Sequence, residues 1–441
     1  MFTARVRIGA SDNKRSICSI CGLEQLLRQL FVENLDSGST AEGQRIRYLS
    51  FYPSYFFTQE TLTLVQRFYS RLGSLRLSEK DLRHAMNRAD LGDPTFYQCL
   101  DPFLLPRVQS ETKRIVRYKP TIDATFLMLG FRSFNDPSDT ESWIVPAFLS
   151  LVLPVCLDVK VIASESSVPL LLEADELPET VWFDGAHAAI RALVGEGRVN
   201  VDDVLPTLTR LAAAYLIHLD TEYAPPKENW QRFAPIAHAL MESPLYVFHF
   251  LKQQERDGKP VSSEQVRRYV QYARDVFDNG GSSMSHATEL VRLYRGFYRA
   301  KNIGNSNSIL RPLSVISDAL LAADMRLFSD DEALIEVAYG ELYRFMDRVS
   351  KGLADGRFPK GVSQPEREAA MRQFCDYFVR NIFVRIFNRD VAALRGKQLN
   401  LLRSACEAIY RDMQANEWQA QGKTVDVAED AADESVADVQ D

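Results

Sequence analysis

The segment Tyr223-Ala-Pro-Pro-Lys-Glu-Asn229 separates two parts of the sequence that carry different patterns of apolar residues. Its two consecutive prolines resist helix formation and favour an extended connection. Before it, short apolar and β-branched runs alternate with helical patterns, which predicts an α+β fold. After it, helical patterns dominate from Trp230 to Trp418, between short loops rich in glycine and asparagine, and they predict an all-α helical bundle.

Local patterns place individual elements in both parts. In the first part we predict a helix that begins at Thr58, and strands over Arg45–Tyr55, Ile115–Arg117, Thr121–Phe131 and Val155–Ser164. The apolar run from Trp143 to Val161 contains two prolines and two charges, and predicts two buried strands around a short helix. For its middle part, residues 146–153, a strand stays open as the alternative, because periodicity cannot decide such short apolar runs. In the second part, Ser262 followed by Gln265 predicts a capping box at a helix start.

These patterns divide the chain into four segments. Residues 1–45 form a zinc-knuckle-like segment, and residues 46–222 form the α+β domain. Residues 223–423 form the helical bundle. Residues 424–441 are acidic with almost no large apolar side chains, which predicts a disordered tail.

Composition restricts the class of protein. With 46% hydrophobic residues, the chain has the composition of a globular protein. No apolar run is long enough to span a bilayer, and residues 1–10 do not have the apolar core of a signal peptide. The six cysteines are mostly isolated, which argues against a disulfide framework and favours a location in the reducing cytoplasm. We also predict no membrane partner. Residues 131–221 and 424–441 carry the acidic excess that gives the net charge of −7, and the remainder is mildly basic.

The motif Cys18-x-x-Cys21-Gly22 has the spacing of half a zinc knuckle. Two thiolates at this spacing can occupy two corners of a tetrahedral zinc site, and the glycine eases the turn. A structural zinc needs two further ligands, and the sequence contains no second Cys-x-x-Cys or His-x-x-His motif. A bound structural zinc and a remnant knuckle that has lost its metal are therefore both open.

The sequence contains no complete catalytic motif that we recognise. None of the six histidines is followed by aspartate, and none has a histidine partner four residues away. A P-loop, a nucleotide-binding glycine fingerprint and a Gly-x-Ser-x-Gly motif are also absent. The turn Phe277-Asp-Asn-Gly-Gly lacks the second carboxylate of a two-metal site. We therefore predict no catalytic residue in this chain.

Two groups of basic residues interleave with aromatic residues in the helical part. The first is Arg292, Arg295, Arg299 and Lys301, with Tyr294, Phe297 and Tyr298 between them; the second contains Arg385, Arg389, Arg395 and Lys397, with Arg380 and Arg403 beside them and Phe378, Phe383 and Phe387. Guanidinium and ammonium groups bind phosphates, and aromatic rings stack on bases, so each group is a candidate nucleic-acid site. The alternative is a solvated helix face above an aromatic core.

Four stretches of the chain resemble one known family. They are Cys18-Ser-Ile-Cys21-Gly22, Phe51-Tyr-Pro-Ser-Tyr-Phe-Phe-Thr58, Ile122-Asp-Ala-Thr-Phe-Leu-Met128 and Glu242-Ser-Pro-Leu-Tyr246. They are similar to the large subunit of type I-D CRISPR-Cascade interference complexes, a relative of the Cas-ten proteins. The resemblance implies palm-like (ferredoxin-like) domains around a zinc knuckle, followed by a helical domain like the complex's small subunit. It also implies that an HD nuclease domain precedes the part that this chain matches.

The resemblance implies a non-catalytic role in a crRNA-guided antiviral complex. The partners would be the crRNA-containing Cascade subunits and target DNA, contacted at the flanking-motif duplex and along the displaced strand. In such complexes guide pairing reads the sequence and protein holds the backbones. Two alternatives remain open: a nuclease large subunit whose metal site lies in a missing HD domain, and a stand-alone zinc-knuckle DNA-binding regulator.

Overall fold

The structure is a computed structural model. It describes residue 23 and residues 46–53, 58–60, 63, 77–90, 98–100, 115–116, 118–120, 128–133, 140–157, 159–165, 180–195, 197–221, 233–278, 283–323 and 330–422. Contacts between residues divide the chain into two compact units, Met1–Glu242 and Ser243–Asp441. Cys18 and Cys21, most of the predicted knuckle segment 1–45, the linker around residues 223–229 and the tail 424–441 lie outside the described residues.

The first unit contains a mixed sheet of six strands in the order β4-β5-β1-β6-β7-β8, and a separate pair, β2 and β3. The strands are β1 (Ile46–Pro53), β2 (Leu77–Ser78), β3 (Ile115–Val116), β4 (Tyr118–Pro120), β5 (Met128–Ser133), β6 (Val159–Ser164), β7 (Val181–Asp184) and β8 (Arg198–Val199). The central strand β1 pairs antiparallel with β5 and with β6, so that Leu49 lies opposite Leu129 and Ala163. Strands β6 and β7 are parallel.

The described part of the first unit also contains α-helices. They are α1 (Glu79–Ala89), α2 (Ile144–Leu157), α3 (Ala188–Leu193), α4 (Val204–Thr221) and α5 (Phe233–Glu242). Helix α2 packs on β6 and on α4. Its residues from Ile144 to Leu153 are buried all round, as in a core helix rather than a surface helix.

Helix α2 corrects one sequence prediction. The run from Trp143 to Val161 forms one helix followed by one strand, rather than two strands around a short helix. Pro146 lies in the first turn of α2, where a missing backbone N–H costs no helical hydrogen bond. An apolar run with no polar face has no periodicity from which helix and strand can be told apart.

The boundary between the two units lies farther along the chain than the proline-rich linker. Helix α5 packs against α3 and α4 through the apolar side chains Phe233, Ile236 and Leu240, which are all buried. It therefore belongs to the first unit, and the second unit begins at Ser243. The linker alone predicts instead that this helix belongs to the bundle of residues 223–423.

Apart from one isolated backbone bridge, the regular elements in the described part of the second unit are helices, as the sequence predicts. Its α-helices are α6 (Tyr246–Arg256), α7 (Ser263–Gln271), α8 (Ser283–Arg295), α9 (Ser306–Ile309), α10 (Arg311–Ala322), α11 (Asp331–Ser350), α12 (Gln364–Tyr377) and α13 (Lys397–Ala420). Two π-helical segments, Tyr272–Phe277 and Phe378–Ile386, directly extend α7 and α12. The long helix α13 packs against α6, α7 and α8.

Ion pairs connect α13 to α6 inside the second unit. Lys252 of α6 contacts Glu407 of α13 at 2.9 Å, and Arg411 contacts the same carboxylate at 2.7 Å and also pairs with Glu255. Two positive and two negative groups therefore compensate each other where Glu407 is only 4% exposed. Such a network fixes how the two helices pack, because each buried charge has a partner. No described helix of either unit is long and apolar enough to cross a membrane.

Candidate nucleic-acid interface

The first basic group does not form one helical face. Helix α8 ends at Arg295, and Arg299 lies beyond it, in a short backbone pairing with Arg357. The side chains of Arg292, Arg295 and Arg299 are 63%, 6% and 29% exposed, respectively. The sequence spacing predicts a shared face only if the helix continues through Arg299, and it does not.

Arg295 and Arg299 both turn towards α13. Arg295 forms an ion pair of 2.6 Å with Glu417 and lies over the Tyr410 ring at 4.6 Å, and Arg299 lies 3.7 Å from the same carboxylate. Burial, and next the positive charge of Arg295, lower the pKa of Arg299. These two arginines therefore hold α8 and the segment after it against α13, and they share the single carboxylate of Glu417.

Arg292 and Lys301, the other members of the first group, are exposed. Arg292 donates two hydrogen bonds, of 2.7 and 2.6 Å, to the carboxylate of Glu289 one turn earlier. This bidentate geometry compensates much of its charge. Lys301 lies just after the backbone pairing of Arg299 with Arg357. Only Lys301 of this group combines exposure with a charge that none of the ion pairs above compensates.

The aromatic residues of the first group belong to the core. Tyr294, Phe297 and Tyr298 are all fully buried. Tyr294 stacks on Tyr410 with ring centroids 5.8 Å apart, and the Tyr298 hydroxyl donates to the carbonyl oxygen of Ser308 at 2.5 Å. None of these rings presents a face to solvent, so they cannot stack on bases in this conformation.

The second basic group lies on one exposed segment. Arg385, Arg389, Arg395 and Lys397 are all exposed, whereas Phe378, Phe383 and Phe387 beneath them are buried. The segment runs from the end of the π-helix, through a short 3₁₀ helix (Val391–Leu394), to the first residue of α13. The buried phenylalanines thus fix the backbone that carries the basic side chains.

The members of the second group differ in how their charge is compensated. Arg389, in the left-handed region at φ 59°, forms an ion pair with Asp331 at the start of α11. Arg385 donates to the amide oxygen of Asn381 at 3.0 Å, and Lys397 lies 4.7 Å from the centre of the Tyr246 ring. Among the described residues, no carboxylate lies within ion-pair distance of Arg385 or Arg395. We refer to Arg385, Arg395 and Lys397 as the basic segment.

Two neighbours of the second group are committed to internal contacts. Arg380 pairs with Asp376 at 2.8 Å and also with Glu332. Arg403 donates to the hydroxyl of Ser317 at 3.0 Å, and burial lowers its pKa. Both guanidinium groups are therefore engaged by groups of the second unit.

A groove of about 540 Å³ lies between α8 and α12. It is lined by Glu289, Arg292, Leu293, Ala369, Arg372, Gln373, Asp376 and Tyr377. The Tyr377 hydroxyl is 2.8 Å from Nδ1 of His286. Burial, and next the charge of Arg385, lower the pKa of His286. Arg292 and Arg372 in the groove both pair with carboxylates, so its walls are close to neutral.

The structure also exposes basic and aromatic residues that our sequence prediction missed. In the loop between α11 and α12, Arg357 and Lys360 are exposed, and the Arg367 guanidinium lies 4.1 Å from the centre of the half-buried Phe358 ring. The stretch Gly356-Arg-Phe-Pro-Lys-Gly361 carried the signal, since it has an aromatic residue between two basic residues in a loop. By composition alone, this stretch is only one of the loops between helical patterns.

The described residues hold no group of three or more histidine, cysteine, aspartate or glutamate side chains that could bind a metal ion. Their four cysteines are unbridged: Cys99, Cys375 and Cys406 are buried, and Cys156 is half-buried. Desolvation raises the pKa of the Cys156, Cys375 and Cys406 thiols to about 12. These three thiols are therefore protonated at neutral pH and are poor nucleophiles.

Comparison of the sequence with known proteins adds no assignment. No family model matches the chain, and no curated protein matches it.

Proposed function

We propose that this chain is a non-catalytic subunit of a crRNA-guided antiviral complex, which scaffolds the complex and binds target DNA. The proposal takes its biological setting from the resemblance to the large subunit of type I-D CRISPR-Cascade complexes. In it, the first unit is the palm-like part with the zinc-knuckle-like segment, and the second is the small-subunit-like bundle. One structural observation supports it most directly: the exposed basic segment Arg385, Arg395 and Lys397 on the second unit.

The chemistry of the basic segment suits a phosphate backbone rather than bases. Its three side chains are cationic and exposed, and the aromatic rings nearest to them in sequence are buried. Contacts with phosphates give affinity without sequence preference, since they depend on charge and on counterion release. In a guided complex base pairing with the RNA supplies the specificity, so a subunit that only holds backbones is sufficient.

The proposal predicts that the basic segment is needed for DNA binding. The triple substitution Arg385→Ala, Arg395→Ala and Lys397→Ala should weaken binding of the whole chain to a single-stranded DNA oligonucleotide by roughly 10- to 100-fold at about 0.1 M salt. Fluorescence anisotropy with a labelled 30-mer measures this. Circular dichroism should show an unchanged helical spectrum, because the three side chains are exposed.

The matched control removes three other positive charges, each of which already pairs with a carboxylate. Arg274, Arg344 and Arg372 of the second unit are each at least half exposed, and each pairs with a carboxylate. Their joint replacement with alanine changes the net charge equally but should leave DNA affinity within about twofold, since their charges are already compensated. Equal losses in both variants would mean that overall charge, and not the basic segment, drives binding.

Two further parts of the proposal concern catalysis and zinc. Incubation with DNA and Mg²⁺ or Mn²⁺ should produce no cleavage; metal-dependent cleavage that co-purifies with the chain would contradict the non-catalytic role.

Cys18 and Cys21 would hold a structural zinc, with ligands completed from elsewhere, at a stoichiometry of at most about one per chain. Elemental analysis of the wild type and of Cys18→Ser checks this.

A further inference from the structure

The loop between α11 and α12 presents an unusual set of side chains to solvent. Leu353 is 69% exposed, more than any other large apolar side chain of the described residues. Arg357 and Lys360 are exposed, and Phe358 between them is half-buried. An aromatic ring beside exposed cations is the combination found in sites that bind single-stranded nucleic acids.

Backbone contacts hold the middle of this loop in place. Arg299 and Arg357 exchange two backbone hydrogen bonds, of 2.8 and 2.7 Å. Gly356, the residue before Arg357, has a φ of +136° and packs on Tyr298. A Cβ atom at this position would come within 2.3 Å of the ring. Only glycine fits this position. The loop is therefore fixed against the core at its centre, directly beside Phe358.

Helix α12 positions the partner of the Phe358 ring. Ser363 and Glu366 form a capping box, in which the Glu366 carboxylate accepts from the Ser363 backbone N–H at 2.8 Å. Arg367 is the next residue, and its guanidinium lies 4.1 Å from the centre of the Phe358 ring. We refer to the ring, with the guanidinium that lies over it, as the Phe358–Arg367 platform. The loop holds it on one side and the capped helix on the other.

The charge around this platform is mainly positive. Lys301 and Lys360 are exposed, and the pairing of Arg299 with Arg357 joins the segment of Lys301 to the loop. Of the carboxylates close to it in sequence, Asp355 is exposed, Glu366 is occupied in the capping box and Glu368 accepts a hydrogen bond from Gln364. A half-buried aromatic ring beside exposed cations suits an unpaired nucleotide, whose base stacks and whose flanking phosphates are negative.

We propose that the Phe358–Arg367 platform is a stacking site for an unpaired base of single-stranded nucleic acid. Arg357, Lys360 and Lys301 contact the phosphates on either side of that base. This inference rests on the proposed nucleic-acid function and adds to it a second site, at which a base rather than a phosphate is bound. Its discrimination between bases is weak, because every base has a π-face.

The test uses the whole chain and a thymidine oligonucleotide that carries 2-aminopurine, whose fluorescence is quenched when it stacks. Phe358→Ala and Phe358→Leu should abolish the quenching and weaken binding by roughly 5- to 100-fold, the usual contribution of one stacked base. Phe358→Tyr keeps the ring and should retain both. The matched control is Tyr343→Ala, which removes a 43% exposed aromatic residue from α11, beside Glu341 and its partner Arg344, and should change neither.

The outcomes separate this inference from the proposed function. The salt dependence of binding should be unchanged in Phe358→Leu, since no charge is lost, but reduced in the basic-segment variant. Salt-dependent binding by the wild type, with full quenching and affinity in Phe358→Leu, would overturn the platform and leave the proposed function standing. No binding by the wild type to either a DNA or an RNA oligonucleotide would overturn both. Parallel DNA and RNA oligonucleotides show which of the two single strands the platform holds more tightly.

Discussion

Arg292 and Arg295 lie three residues apart on α8 but in opposite environments. The Arg292 side chain is mostly in solvent and pairs with Glu289 on its own helix. The Arg295 side chain is buried, stacks on Tyr410 and pairs with Glu417 of another helix. An arginine in water keeps its charge available for a ligand, whereas a buried arginine is fixed by the groups that compensate it. Residue type alone therefore does not identify a phosphate-binding side chain.

These environments predict different effects on stability. Arg295→Ala removes a buried stacking group and leaves the half-exposed Glu417 carboxylate without its closest partner, so the free energy of unfolding should fall by about 1–3 kcal/mol. Arg292→Ala should change it by no more than about 0.5 kcal/mol. Urea denaturation followed by circular dichroism measures both. Similar values for the two variants would contradict the assigned burial.

The His286 ring predicts a pH dependence of stability. Burial and the nearby Arg385 guanidinium lower its pKa in the folded protein. The unfolded state, with a histidine pKa of about 6.5, then binds protons more readily than the folded state does. The contribution of the neutral ring is therefore fully present above about pH 6.5 and is lost as the pH falls through the lower folded pKa.

Thermal unfolding between pH 7.5 and 5.0 measures this effect. The Tm of the wild type should fall more steeply towards acid than that of His286→Asn. Both proteins keep the other acid-titrating groups, including His249, whose pKa is also lowered by burial. Parallel Tm curves for the two proteins would show that His286 titrates alike in the folded and unfolded states.

At the scale of elements, local signals were reliable where one side chain decides the geometry. Ser262 is the N-cap of α7, as predicted, and its hydroxyl accepts from the Gln265 backbone N–H at 3.1 Å. The Gln265 side chain does not complete a capping box, because it donates instead to the buried Gln254 amide at 2.6 Å. That partner lies on α6, and no spacing within α7 could indicate it.

Element ends that depend on tertiary contacts were not predictable. Helix α8 ends at Arg295, where Gly296 begins the turn that leads to the pairing of Arg299 with Arg357. A partner 58 residues away from Arg299 thus decides that the basic spacing does not continue on one face. The second basic group could be predicted better, since its buried phenylalanines and exposed cations lie within one continuous segment.

At the scale of the whole molecule, the helical character of the second half could be read from its periodicity, whereas the boundary could not. Phe233, Ile236 and Leu240 show that α5 has an apolar face. They do not show which unit covers that face, and in the structure α3 and α4 of the first unit do so. The burial of the helix after the linker therefore indicates the boundary between the units better than the composition of the linker does.

Two fragments test the position of this boundary. A fragment of residues 243–441 should fold into a helical, monomeric bundle, because its described core is internal to the second unit. A fragment of residues 223–441 should carry Phe233, Ile236 and Leu240 uncovered, and should therefore bind more of a hydrophobic dye or self-associate. Sedimentation and thermal melting compare the two. A longer fragment that is monomeric and melts at a higher temperature would place α5 in the bundle.

The salt dependence of DNA binding shows whether the basic segment binds nucleic-acid phosphates. Affinity for a single-stranded oligonucleotide should be measured between 50 and 300 mM NaCl for the wild type, the Arg385/Arg395/Lys397 alanine variant and the Arg274/Arg344/Arg372 alanine control. Each phosphate contact to a single strand contributes about 0.7 to the slope of log K against log salt concentration. This slope should be about two units shallower in the basic-segment variant than in the wild type, and unchanged in the control. Equal slopes in all three proteins would contradict it.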